Sequence, residues 1–478
     1  MLITQCKHEL RQLAADRLLY ALIVLFAVLI AYGLWNGERW VRFQERAIAA
    51  AHQEEASAVT RAKQQAERIR LGQEKPRWWS SASDLRGFLW YHLVSYAVKP
   101  PAPLAALAVG QSDLYPYLLK VDPGAKAGFS TAYETANPRK LFLGPFDLAF
   151  VIIYLLPLFI LALSYDLLAA EKESGVLSLL AAQPVSLLRI VLGKIGFRLS
   201  FILLLIGGLL GAALALTGFG SSAPELLWRL LGWFGVVAAY AIFWFFLAML
   251  VIAYGGRSAT NALALAALWL VAVVLVPAGV NLWITTAYPL PSRTDYVKTL
   301  RDTGDEIYEQ ETQITERFFA DHPELKPQKA EEGEAGWVIG EMERDRRLQA
   351  VESAFTGQLQ RQQDLAEQLK FLSPALLVHS AFLDLSGTGM ARHRQFLAQV
   401  DTYHAELQGY FNPKLIKGEY AFSSYDAVPR FRYREEPARD QAQRLGADML
   451  GLLIPALLTA LLAGLALRRY PVVSGQSL

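Results

Sequence analysis

The apolar residues of this chain gather into blocks of about twenty, separated by polar stretches, instead of recurring every second or every third to fourth position. That length lets a helix cross the hydrocarbon of a bilayer, where only a helix or a closed barrel satisfies its own backbone. Residues 18–35, 146–169, 199–216, 226–254, 261–284 and 447–467 are therefore expected to be transmembrane helices. The expected fold is an all-α integral membrane protein with six spans and two large, mainly helical polar segments, 36–145 and 285–446.

Lysine and arginine set the orientation, because short loops rich in them stay in the cytoplasm. Lys7, Arg11, Arg17, Lys172, Arg189, Lys194, Arg198, Arg257, Arg468 and Arg469 fall on one side, whereas the loop 218–225 has neither residue. Both tails, 1–17 and 468–478, and the loop 170–198 are thus expected in the cytoplasm. Long segments translocate largely regardless of charge, so 36–145 and 285–446 are expected outside, folded together as one outer domain. The first span is not a cleaved signal: Glu38, Arg39, Arg42, Glu45 and Arg46 separate it from Ala47-Ile48-Ala49.

Within the first polar segment, residues 42–70 are rich in Ala, Glu, Gln, Lys and Arg and are expected to prolong the first span as a helix. Proline and glycine clusters after it predict a small mixed or irregular module. Residues 301–370, interrupted near His322-Pro323 and Gly333 to Gly336, predict a helical hairpin, with a further helix over 391–410.

Composition narrows the function. Hydrophobic residues are 53% of the chain and charged ones 19%, and a net charge of +2 with no basic stripe speaks against a nucleic-acid partner. The single cysteine, Cys6, has no partner for a disulfide within the chain. Asp147, Asp166, Arg229 and Asp448 stand near span ends, where water or headgroups reach them, and read as anchors. His379, His393 and His404 occur singly and read as solvated or capping residues. Pro157, Pro277 with Gly279, and Pro455 predict kinks, and Gly207, Gly208 and Gly211 permit close helix contact. No Gly-x-x-x-x-Gly-Lys-Ser/Thr loop is present to cradle nucleotide phosphates, so this chain is not expected to be an ATPase.

The most informative stretch is the inner loop. Gly175 ends or turns the helix leaving the second span, residues 176–182 form about two helical turns, and Pro184 with Ser186 opens the next helix. A short amphipathic helix on the inner face suits docking into a groove on a soluble partner, although a plain interhelical loop has the same sequence requirements.

The run Glu171 to Pro184, with Arg189 and Lys194 after it, resembles the loop between the second and third spans of type-2 ABC exporter permeases, with Val176 where the family often has Thr. Residues 103–116, 371–374 and 386–388 resemble a branch with large outer segments, related to permeases in gliding and copper-site maturation clusters. The resemblance implies that the loop is a coupling helix seated on an ABC ATPase, with Glu171, Glu173, Ser174, Gly175, Val176, Leu177, Leu179, Leu180, Pro184 and Arg189 as docking residues. It further implies ATP and Mg on that partner and none bound here, a second permease copy or a similar permease as dimer partner, and the bacterial inner membrane as location. An outer partner and membrane lipid are the remaining expected contacts. The alternative is a membrane-anchored scaffold or sensor with a partner-binding outer module.

Overall fold

The computed structural model describes residues 9, 11, 17–110, 112–126, 146–184, 186–217, 224–254, 256–290, 292–326 and 332–470. Most of the tail 1–17, Cys6 included, and most of the loop 218–225 lie outside them. Helix α1 (Arg17–Arg70) runs unbroken from the first apolar block into polar sequence. Beyond residue 35 it continues for about 50 Å at 1.5 Å per residue, because good helix formers fill it and neither proline nor glycine interrupts residues 38–70. It stops at Gly72, whose φ of 71° is the left-handed turn that closes many helices.

After it come α2 (Leu148–Glu173), the short α3 (Val176–Ala181), α4 (Leu187–Thr217), α5 (Pro224–Ala253) and α6 (Ser258–Ala287). The polar helices are α7 (Arg293–Glu309), α8 (Glu311–Asp321) and α9 (Glu332–Leu369). Then follow α10 (Pro374–Ser386), α11 (Met390–Ile416) and α12 (Ala438–Leu467). Helices α1, α2, α4, α5, α6 and α12 are each long and apolar enough to cross a membrane. Helix α5 is the axis of this bundle: Trp233, Tyr240, Trp244 and Phe245 are fully buried, and it packs on α2, α10 and α12.

Two of the predicted kinks have a definite form. Residues 151–155 of α2 and 270–275 of α6 are π-helical, and Pro157 and Pro277 follow within two residues. Proline has no N–H to give to the turn before it, so carbonyls there lose their intrahelical partner. Neighbouring side chains supply the missing donors. Tyr240 donates its hydroxyl to the Ile153 carbonyl at 2.8 Å, and Trp269 its ring N–H to Tyr154 at 3.2 Å. The Ser373 hydroxyl donates to the Ala272 carbonyl at 2.6 Å.

Ser373 belongs to an element that sequence patterning placed in the outer segment 285–446. Helix α10, which it caps, has thirteen residues, too few to cross a bilayer, and is nonetheless buried among the apolar helices. Leu377, Val378, Ala381, Phe382 and Leu385 face inward, and Phe382 stacks on Trp233 at 4.8 Å. The charged residues read as solvated anchors mostly serve this inserted helix and its neighbours instead. Arg229 is buried and donates to the Leu385 carbonyl at 3.1 Å. Asp448, wholly buried, pairs with Lys370 at 2.7 Å. Asp147 caps the start of α2 and accepts from the amides of Val109 and Gly110, which ties the segment 104–110 to the bundle. That segment crosses α1 at Gly37, where any Cβ would strike the Ala106 carbonyl.

A second core lies in the polar part, between the distal half of α1, the antiparallel pair β1 (Tyr96–Val98) and β2 (Leu118–Lys120), and helices α8, α9 and α11. The expected hairpin is α7 and α8 packed along α9. His393 and His404 are buried here and not solvated: His404 meets the Gly124 carbonyl at 2.6 Å, and His393 stacks on Tyr115 at 4.6 Å. Lys99 meets the ring of His393 at 3.3 Å; burial pushes this lysine down to about 7 and the histidine to about 3.

Ser373 ties α10 to α6 within the bundle through one hydroxyl, which donates to α6 while accepting from the amides of Ala375 and Leu376. Ser373→Ala removes both functions and is expected to cost about 1–3 kcal/mol, because the Ala272 carbonyl is left buried without a donor. Ser373→Thr, which keeps the hydroxyl, should lose less. Thermal unfolding in detergent ranks the variants; an alanine variant as stable as the parent would contradict this role.

Candidate partner-docking site

The loop between α2 and α4 is built around Gly175, which lies at φ 75°. A Cβ there would meet nothing within 4 Å, so glycine is needed for the left-handed backbone and not for space. The turn sends α3 off as a separate helix, steadied by the Ser178 hydroxyl on the Gly175 carbonyl at 2.8 Å. Ser186 then receives the amides of Arg189 and Ile190 on its carbonyl as α4 begins.

This geometry divides the loop residues by exposure. Leu177 is 1% exposed and packs into the bundle core, whereas Leu179 is 71% and Val176 43% exposed. Val176 and Leu179 stand three residues apart on one face of α3, so they form an apolar surface turned away from the bundle. Leu180 is half-buried, and Ser174, Pro184 and Arg189 are exposed around it.

The two acids have internal partners. Glu171 accepts from the Lys194 ammonium at 2.6 Å, with the carboxylate side chain only 14% exposed. Lys194 also donates to the Leu167 carbonyl at 2.9 Å, and Arg198, one turn further along α4, pairs with Glu9 at 3.1 Å and donates to the Leu163 carbonyl. Glu173 reaches across to α6, where it accepts from the Ser258 amide at 2.8 Å and the Ser258 hydroxyl at 3.1 Å. A carboxylate at a helix start meets donors that have no partner inside the helix and the positive end of the helix dipole. The family resemblance made both acids docking residues; the fold employs them to fasten the loop to α4 and α6. That reading noted Lys194 and Arg198 only as basic residues beside the loop and passed over Ser258. Their signals were local: two cations one turn apart on a span entry, and a hydroxyl residue opening an apolar run.

Among the described residues no three His, Cys, Asp or Glu side chains are placed together as metal ligands.

A family described as a domain of unknown function (DUF3526) matches residues 293–434. The match runs from α7 through the extended chain before α12, and so takes in the polar helices and α10 but none of the six long apolar helices. No curated protein and no solved structure matches the chain.

The two acids should behave differently on removal. Glu171→Ala removes the closest carboxylate of the buried Lys194, which keeps the Leu167 carbonyl and Glu9 at 3.8 Å, and is expected to destabilise the protein by about 2 kcal/mol. Replacing both partners by Met should recover most of that loss. Glu173→Ala removes an exposed cap worth about 1 kcal/mol, so its effect should appear as faster amide exchange at residues 258–261 with little change in the unfolding midpoint. Equal stability losses for the two alanine variants would contradict the assignment.

Proposed function

We propose that this chain is the membrane-spanning permease subunit of a bacterial ABC transporter, driven by a separate ATPase that docks on α3. The observation that carries the proposal is the division of labour in the loop: Val176 and Leu179 are bare, while Glu171 and Glu173 are spent on holding the loop to α4 and α6. A bare valine and leucine on one face of a short helix form an apolar surface of the kind that docks into a groove on a partner. Further support comes from the matched domain, which is found in ABC-transporter-like permeases.

In this proposal a push on α3 has a material route inward. Glu173 grips the start of α6, and α6 softens at its π-helical turn. There the Ala272 carbonyl holds Ser373, the cap of α10, and α10 leads through Gly387 into α11 of the polar core. The inner location of the loop, the outer location of the polar module and both cytoplasmic termini follow the lysine and arginine distribution. The exposed apolar flank of α6, with Leu263, Leu275, Leu282 and Trp283, offers the second permease half a surface in the bilayer.

The test is copurification from membranes in mild detergent. The parent chain should bring down an ATP-binding subunit, and the complex, unlike the chain alone, should hydrolyse ATP. Leu179→Glu places a charge in the docking contact and forfeits about 2 kcal/mol of apolar burial, which amounts to some thirtyfold in affinity. Gly175→Pro should abolish association, since proline cannot adopt the left-handed turn. Undiminished ATPase association and stimulation with both variants would refute the docking role of the loop.

A further inference from the structure

The polar module carries a cleft that plays no part in the route from α3. Its volume is about 560 Å³, within the range of ligand sites. One wall is β1, the other is the extended chain of residues 428–433, and α1 from Ile48 to Val59 forms the floor.

Both walls present strand edges. On β1, Ser95 and Lys99 hydrogen-bond toward β2, the first through its carbonyl to the Val121 amide and the second through its amide to the Tyr117 carbonyl. Antiparallel pairing alternates, so the backbone groups of Tyr96 and Val98 point the other way, into the cleft. The Tyr96 amide is held by the Glu55 carboxylate at 2.6 Å, and Val98, itself buried, lines the cleft. On the opposite wall, exposed Arg430, Arg432 and Arg434 alternate with Phe431 and Tyr433, which pack inward on Phe396. This is strand alternation without a strand partner. The Tyr403 hydroxyl holds the walls apart at one end, sharing a 2.5 Å hydrogen bond with Ser95 and donating to the Pro429 carbonyl at 3.1 Å.

The geometry points to a peptide-binding cleft: an extended, acidic segment of a polypeptide partner adds a strand between β1 and residues 428–433, with its carboxylates on Arg430 and Arg432. Edge pairing provides the affinity and alternate side chains the selectivity. Neither arginine has a salt bridge among the described residues, and both line the mouth of the cleft. A bilayer lipid is disfavoured by distance, since the floor begins at Ile48, about 20 Å along α1 from the end of its apolar block.

The experiment needs no ATPase, so its outcome is independent of the transport proposal. Fluorescence anisotropy is measured on the full chain in detergent with a labelled peptide of about eight residues alternating Glu and Val. Two control peptides are used, one with Lys replacing Glu and one N-methylated at alternate amides so that it cannot pair as a strand. The acidic peptide should bind, and both controls should bind at least about tenfold more weakly. The pair Arg430→Glu and Arg432→Glu should weaken the acidic peptide by about tenfold with an unchanged unfolding midpoint. Val98→Pro, which removes the amide facing the cleft and spares the β2 ladder, should act in the same direction. The proposal is overturned if no peptide binds, if the N-methylated peptide binds as well as its parent, or if anionic phosphatidylglycerol vesicles alone show the arginine-dependent binding.

Discussion

A carbonyl freed by proline inside a long apolar helix has no water to turn to, and much of this architecture can be read as the answer to that constraint. Pro157 and Pro277 each loosen a helix into a π-helical turn, and each turn is met by donors from outside its own helical ladder. Tyr240 fastens α5 to α2, and Trp269 fastens α6 to α2. Ser373 fastens α10 to α6, so that the inserted helix is held at a deformable point of α6 and not along a rigid stretch. Such π-helical turns are departures from the regular helical ladder of the kind often found at functional sites.

Charge does the complementary work at both ends of the bundle. At the end that carries α3, Glu171 with Lys194, and Glu9 with Arg198, tie neighbouring segments together. At the other end Lys370 with Asp448, and Arg444 with Asp384 and Glu436, clamp α10 between α9 and α12. Buried pairs of this kind add little net stability over apolar packing, but losing one partner is expensive. Between the two clamps lie α6 and its π-helical turn, with Glu173 at one end and Ser373 midway.

The long apolar helices were legible because twenty-residue apolar blocks have few other physical outcomes, and the helical prolongation of the first one was legible from its composition. Helix α10 was not, since thirteen apolar residues inside a polar segment look like part of a soluble core. The loop was legible in outline, since Gly175 marked the turn, but Leu177, expected among the docking residues, is buried in the bundle core and offers nothing to a partner. The roles of Glu171 and Glu173 were not, because their partners lie 23 and 85 residues away and only tertiary structure brings Lys194 and Ser258 to them. The cleft was likewise hidden, as its walls come from residues separated by more than three hundred positions.

The central claim is that the inner loop, α6 and α10 move as one train when ATP is turned over. Hydrogen exchange measured on the chain in nanodiscs with its copurified ATPase tests this directly, by comparing nucleotide-free and ATP-trapped states. The account predicts that protection changes together in residues 171–184, at the start of α6 around Ser258, and at the start of α10 after Ser373. A change confined to the loop, or none at all on trapping ATP, would contradict it.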